Sequence, residues 1–189
     1  MDLNLSLRLP PPPKMDKGKR AIPSESSTAS KKTRPSGDDA TEPVLFYTTK
    51  GPWGFMSNFS RHAVVIDGIK YPTSEHYYQC QKTSSSAFRE RIRLASKPMD
   101  AARLGRSKEC QKIPDWDDKK ISVMEKVLRA KLKQNPELLT ALLKSGDRPL
   151  IEASSIDPFW GWGAKKDGHN HLGKLWMKLR EEHKQAVSV

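Results

Sequence analysis

The sequence predicts an α+β fold, a helix-rich single domain with a small antiparallel β component, preceded by a disordered N-terminal tail. Three observations predict it. Nearly all the large apolar residues lie after Val44, so the core is C-terminal. Most of that region repeats its apolar residues at helical spacing, and strand signals are confined to short runs, two of which flank Asp67-Gly68. At 189 residues, the chain holds one ordinary domain of roughly 100 to 150 residues. The reading divides it into a tail, 1–43, and a domain, 44–186.

Val44 to Tyr47 reads as a short strand, and Gly51-Pro52-Trp53-Gly54 as a turn. Ala63–Ile66 and Ile69–Tyr71 form a hairpin, because Asp-Gly between them favours the positive-φ geometry of a tight turn. After Pro72, Thr73 or Ser74 caps a helix running to about Thr83, with Glu75 in the dipole-favoured first turn. Ala87–Ala95 and Pro98–Gly105 read as two further helices, the second stopped by glycine. From Asp117 to Gln134, Ile121, Met124, Val127, Leu128 and Leu132 recur on one face; the lysines and arginines of that helix read as its solvated side. Pro136–Lys144 is a helix, Leu150–Ala153 a strand, and Asn170 to about Lys184 a final helix carrying Leu172, Leu175, Trp176 and Leu179. No 20–50-residue period repeats, which excludes a solenoid.

Composition narrows the function classes. No apolar run approaches the roughly 20 residues of a membrane span, and no signal-peptide layout opens the chain, so the reading is intracellular with no membrane partner. Cys80 and Cys110 lack ligand or framework spacing and read as free thiols. Residues 1–44 carry 8 Lys+Arg against 6 Asp+Glu, so +10 of the net +12 belongs to the rest of the chain. A basic domain favours phosphorylated small molecules or nucleic acid, although a solvated Lys/Arg face accounts for it equally.

The Pro- and Ser-rich segment 10–43 has no aromatic residue and cannot bury enough apolar surface to order itself. Lys19-Arg20 and Lys31-Lys32-Thr33-Arg34, ten residues apart, have the spacing of a bipartite nuclear import signal, which makes an importin an expected partner and the nucleus, or nucleus and cytoplasm, the expected location. Leu3, Leu5, Leu7 and Leu9 alternate, which suits docking of an extended strand into a partner's groove or sheet edge; the stretch resembles the LxLxL repressor-recruiting motif of plant transcriptional regulators, which implies a corepressor as partner.

Three clusters combine polar and aromatic groups beyond what a core requires. Trp53-Gly54-Phe55-Met56-Ser57-Asn58-Phe59 reads as a loop in which aromatic planes stack on a base while Ser57 and Asn58 read its edges or a sugar hydroxyl. Within Tyr71–Lys82, Glu75, Tyr78, Gln79 and Lys82 share one helical face, where carboxylate and amine can address one ligand; for an arbitrary helix such a stripe is simply solvated. In Asp157-Pro158-Phe159-Trp160-Gly161-Trp162-Gly163, running to Asn170 and His171, glycines among tryptophans let backbone N–H groups approach an anion. His169, His171 and Asp157 are a weak metal pattern; a structural or substrate-contact role is the better account, with no metal and no cofactor expected.

Together these motifs resemble the NADAR family: Phe55-Met56-Ser57-Asn58-Phe59, Tyr71-Pro72-Thr73-Ser74-Glu75-His76, Gln79 with Lys82, Leu104-Gly105-Arg106, Asp115-Trp116, Asp157 with Trp160-Gly161-Trp162-Gly163, and Asn170-His171-Leu172-Gly173. The resemblance implies an N-glycosidase that breaks a ribose C1–N bond, in ribosylamino-pyrimidine phosphates of riboflavin synthesis or in ADP-ribosylated guanine of nucleotides or nucleic acid. It places catalytic roles on Glu75, Lys82 and Asp157, and substrate contacts on Asn58, Trp160, Gly161 and Asn170. With the clusters above, the candidate substrate-binding set is Trp53, Ser57, Asn58, Phe59, Tyr71, Tyr78, Gln79, Trp160, Gly161, Gly163 and Asn170. The chemistry agrees: cleavage develops positive charge on ribose, which Glu75 stabilises, and a desolvated Lys82 can attack the C1 aldehyde as a Schiff-base nucleophile. Asp157 orients ribose hydroxyls or assists proton transfer. The segment Lys108–Pro114 lacks an arginine that the family pattern leads one to expect, and Pro158 stiffens the approach to Trp160, which leaves the phosphate contacts and the substrate open. The competing reading is a non-catalytic nuclear module that binds ADP-ribose or a nucleotide and recruits a corepressor.

Overall fold

The computed structural model of the chain describes residues 41–187; the leucine repeat, the paired basic clusters and nearly all of the expected tail lie outside them. Four short strands are described. β1 (Val44–Phe46) pairs in parallel with β4 (Leu150–Glu152), Val44 opposite Leu150 and Phe46 opposite Glu152. β2 (Val64–Ile66) and β3 (Ile69–Tyr71) form the expected antiparallel hairpin, turning through Asp67 and Gly68 at φ 53° and 76°. The parallel pair is a finding beyond the sequence reading, which places both strands without a partner for either. Gly54–Met56, expected as an irregular turn, is one turn of 3-10 helix.

Six helices surround these strands: α1 (Ser74–Cys80), α2 (Ser86–Arg93), α3 (Pro98–Arg106), α4 (Trp116–Gln134), α5 (Pro136–Leu143) and α6 (His171–Val187). The α1 helix starts where expected, its Thr73 hydroxyl accepting the His76 N–H at 3.4 Å, but ends at Cys80 rather than Thr83. Its termination has a cause in the strand-like pairing that follows. Thr83 bridges Lys112, and the Lys82 carbonyl accepts the Ile113 N–H at 2.8 Å, which draws the chain out of helical register.

The α1 helix packs against α2, α3 and α4, and every one of its residues is buried. Its polar stripe is therefore interior, not the solvated face an arbitrary helix would show. The remaining core joins Met124, Val127, Leu128 and Leu132 of α4 to Leu172, Trp176 and Leu179 of α6. Fully burying such side chains contributes roughly 1.5–3 kcal/mol each.

The α4 helix carries one correction. Lys131 stands three and four residues after Leu128 and Val127, on the apolar stripe, and is fully buried rather than solvated. The adjacent 3-10 turn and the loop after it explain it by gathering acceptors against α4: Lys131 Nζ donates to Phe55 O at 2.5 Å, Ser57 O at 3.2 Å and Ser60 Oγ at 2.6 Å. Among the described residues no carboxylate pairs with it, and burial pushes its pKa down to about 7.

Candidate active site

The stripe on α1 supplies the first half of the site. Glu75 is 8% exposed, and its Oε1 accepts the Gln79 side-chain N–H at 2.7 Å, one turn on. Gln79 is fixed from behind by α3: a Cβ added at Gly105 would lie 2.0 Å from its Oε1, so the close approach requires glycine there. Lys82, one residue past the helical C-cap, still returns to the same face. Its Nζ lies 5.2 Å from the Tyr78 ring centre and 5.8 Å from that of Trp116. The Asn58 carbonyl accepts the Glu75 backbone N–H at 3.1 Å, which ties the 55–60 loop to the start of α1.

The segment after β4 supplies the second half. Asp157 Oδ1 accepts the N–H groups of Phe159 and Trp160 at 3.0 and 2.8 Å, shaping a turn that sets the Trp160 ring edge-on against Tyr78 at 5.5 Å. Glu152, the last residue of β4, joins this half; the sequence reading treats it only as a strand residue. Its N–H donates to Asn170 Oδ1 at 3.0 Å and its carbonyl accepts the Trp162 N–H at 3.0 Å, which anchors the backbone and leaves the side chain to the interior.

The electrostatics tie the two halves together. Burial raises the Glu75 pKa, while the Gln79 hydrogen bond and the charges of Lys82 and Arg106 oppose that rise and Asp157 adds to it. Burial holds Lys82 down to about 8, against the pull of Glu75, with Lys112 and Arg106 pushing the same way as burial. Burial pushes Glu152 up to about 8, with Asp157 and Glu75 adding to the rise. Asn58 Oδ1, Gln79 Oε1 and Glu152 Oε2 are buried without a hydrogen-bond partner, a costly condition that is common at functional sites. The arrangement offers a shielded carboxylate, a second carboxyl group, a low-pKa amine and two aromatic rings. Two surface clefts, one at Leu132 and Pro136, the other at Leu104 and Ser107, are lined by none of these groups.

Other expected contacts fall elsewhere. Asn58, buried rather than exposed, stays at the site, but Trp53 packs under the Arg148 guanidinium at 5.4 Å. Tyr71 packs edge-on against Tyr77, whose position on α1 is opposite Glu75. Ser57 Oγ accepts the Phe59 N–H at 3.3 Å. Asn170 spends its amide on β4, accepting from Glu152 N–H and donating to Leu150 O at 2.9 Å, while its backbone holds φ 49°. The expected anion cradle is corrected as well. The N–H groups of Gly161, Asn170, His171 and Leu172 donate to the carbonyls of Asp157, Gly161, Phe159 and Trp160, which leaves them closed to an anion. Gly163, at φ 67°, packs on Pro158. His169 and His171 stack at 5.5 Å, and Phe159 lies 4.4 Å from His171; among the described residues no three His, Cys, Asp or Glu groups are placed to hold a metal. Glu152 and Lys131 each had one sequence signal, an ionisable residue on an otherwise apolar strand or stripe.

The chain is similar to known proteins. The NADAR domain matches residues 45–184. The protein named N-glycosidase YbiA of Escherichia coli (strain K12) is 43% identical over 139 residues, 74% of this chain and 87% of that protein. An N-glycosidase of Nostoc punctiforme is 40% identical over 149 residues, 77% of this chain and 96% of its own. The riboflavin biosynthesis protein PYRR, chloroplastic, of Zea mays is 37% identical over 158 residues, 75% of this chain but only 25% of the maize protein. The NMR structure of E. coli YbiA matches with a TM-score of 0.71 at 41% identity, covering 77% of this chain and 86% of that one. Fold, site and relatives together define an enzyme, a glycosidase acting on N-glycosidic bonds. The chain belongs to the NADAR domain family.

Proposed function

We propose that this N-glycosidase hydrolyses the ribose C1–N bond of a ribosylamino-pyrimidine phosphate of riboflavin synthesis. The observation that carries the reading is the burial of Glu75 and Lys82 together beside the Tyr78 and Trp160 rings. The names of the maize protein and of a Vibrio vulnificus riboflavin biosynthesis protein, 38% identical over 141 residues, support the substrate class.

As the C1–N bond breaks, positive charge develops on the ribose, and the Glu75 carboxylate, oriented by Gln79, stabilises it. Lys82, with a pKa near 8, is about one-tenth neutral at pH 7 and can add to C1 as a nucleophile; water then releases the sugar and regenerates the amine. Asn58 Oδ1 accepts a hydrogen bond from a ribose hydroxyl or an amine, and Asp157 Oδ2 serves the same purpose. The base stacks against Tyr78 and Trp160. Arg106 and Lys112, exposed cations whose charges reach Lys82, are suited to the phosphate, Lys112 standing in the segment without the expected arginine.

The +10 charge outside residues 1–44 favours a second substrate, ADP-ribosylated guanine, which carries two phosphates. Hydrolysis of both substrates by the full chain, beside Glu75→Gln and Lys82→Ala, tests the reading. Turnover of the ribosylamino-pyrimidine phosphate, reduced at least 100-fold in both variants, is the expected result. Turnover of ADP-ribosylated guanosine alone would replace the substrate, and wild-type inactivity on both would favour the binding-module alternative.

A further inference from the structure

Three carboxyl groups converge on the site, and their hydrogen bonds differ in a way that separates their roles. Glu75 accepts an N–H from Gln79 and stands in the field of Lys82 and Arg106. Asp157 accepts two backbone N–H groups on one oxygen. The Gln79 hydrogen bond and those two charges oppose the rise that burial imposes on Glu75. Glu152 has neither: its Oε2 is buried without a partner, and the charges acting on it are the carboxylates of Asp157, from the loop after β4, and Glu75, from α1. Burial first, then two negative neighbours and an Oε2 without a donor, favour the neutral acid.

An N-glycosidase needs such a group, because an amine leaves far more readily once its nitrogen is protonated. Resting on the N-glycosidase reading, we infer that Glu152 is the general acid, delivering its proton to the leaving nitrogen while Glu75 remains ionised beside C1. As the C1–N bond breaks, its electron pair goes to nitrogen, which takes the Glu152 proton, leaving a Glu152 carboxylate. When water later adds at C1, the proton it loses returns to Glu152, so the enzyme ends as it began. The burial that lifts Glu152 to about 8 keeps the proton in place at neutral pH. The hydrogen bonds of its backbone with Asn170 and Trp162 hold the residue in place. A carboxyl group whose neighbours mostly oppose the effect of burial, beside one whose neighbours add to it, is the usual physical basis for dividing stabiliser from acid.

The test is the pH profile of kcat/KM on a ribosylamino-pyrimidine phosphate and on ADP-ribosylated guanosine, for wild type and Glu152→Gln. A neutral Lys82 gives a rise with pH toward 8, and a protonated Glu152 gives a fall above 8, so the wild-type profile is a bell. In Glu152→Gln the rate falls on the order of 100-fold or more and the alkaline limb disappears, leaving a rise to a plateau. A profile that is scaled down with both limbs intact would assign Glu152 a structural role, and an unchanged rate would remove it from the reaction; either result overturns the inference while the N-glycosidase reading stands. Wild-type inactivity on both substrates would overturn the two together. Should the Gln variant fail to fold, Glu152→Asp carries the same test: a lower rate with the alkaline limb kept supports the acid role, and loss of the limb overturns it.

Discussion

Replacing Lys131 with methionine keeps the length and apolar stem of the side chain and removes a buried amine that has no counter-charge among the described residues. The ordinary lysine value is 10.5 and burial takes it to about 7, so the folded protein holds fewer protons than the unfolded chain between those limits. Stability then rises with pH across that window, at up to about 1.4 kcal/mol per pH unit, and the full interval corresponds to roughly 5 kcal/mol. Between pH 7 and pH 9 the wild type gains roughly 2–3 kcal/mol from this group; the methionine variant gains none. Phe55 O, Ser57 O and Ser60 Oγ each lose the Lys131 donor in the variant but keep a second partner, the Ser60 hydroxyl, the Ser60 N–H and the His62 ring, so the loss is about 0.5–1.5 kcal/mol per bond. Urea unfolding of both proteins at pH 7, 8 and 9 measures the difference directly. Lys82 and Glu152 titrate in the same window but are present in both proteins, so the subtraction leaves Lys131. The expected gap widens steadily with pH. Parallel stability curves, within about 0.5 kcal/mol, would refute the reasoning, because the three acceptors would then hold Lys131 as an ammonium throughout.

Two other substitutions probe the frame of the site. Gly105→Ala places a methyl 2.0 Å from Gln79 Oε1, so Gln79 must swing away and release Glu75; turnover falls roughly 10- to 100-fold while urea unfolding changes by less than about 1 kcal/mol, and a Gln79→Ala background abolishes the added effect. Asn170→Ala removes two hydrogen bonds to β4 and puts alanine at positive φ, so urea unfolding reports a loss of about 3 kcal/mol; Asn170→Gly escapes the backbone strain and loses about 2 kcal/mol. Equal stability of all three proteins would return Asn170 to the substrate-contact role expected of it.

Local signals made most of the elements legible. The Asp67-Gly68 hairpin, the Thr73 cap, Pro98 and Pro136 at helix starts, and the apolar stripe of α4 are all decided within a few residues, and the structure places them where those residues require. What was illegible depends on partners distant in sequence. The end of α1 is set by the Thr83–Lys112 bridge, and the burial of Lys131 by carbonyls of Phe55 and Ser57. At the site, Glu75, Gln79 and Lys82 are adjacent on one face and could be grouped by helical geometry. Glu152 could not, because only tertiary folding brings β4 to α1. The family resemblance places a substrate contact on Asn170, whose amide in the structure completes a strand edge through Glu152 N–H and Leu150 O, a tertiary role that the sequence does not display.

The pairing of Val44 with Leu150 fixes an order of assembly. The hairpin and the α1–α2–α3 group are built from contacts close in sequence, which form quickly, whereas the β1–β4 ladder joins segments near opposite ends of the domain and must await loop closure. On the ribosome, the half of the site that holds Glu75 and Lys82 emerges well before Glu152 and Asp157. An incomplete chain therefore carries the amine without the carboxyls of the second half, and both halves meet only when β4 docks beside β1.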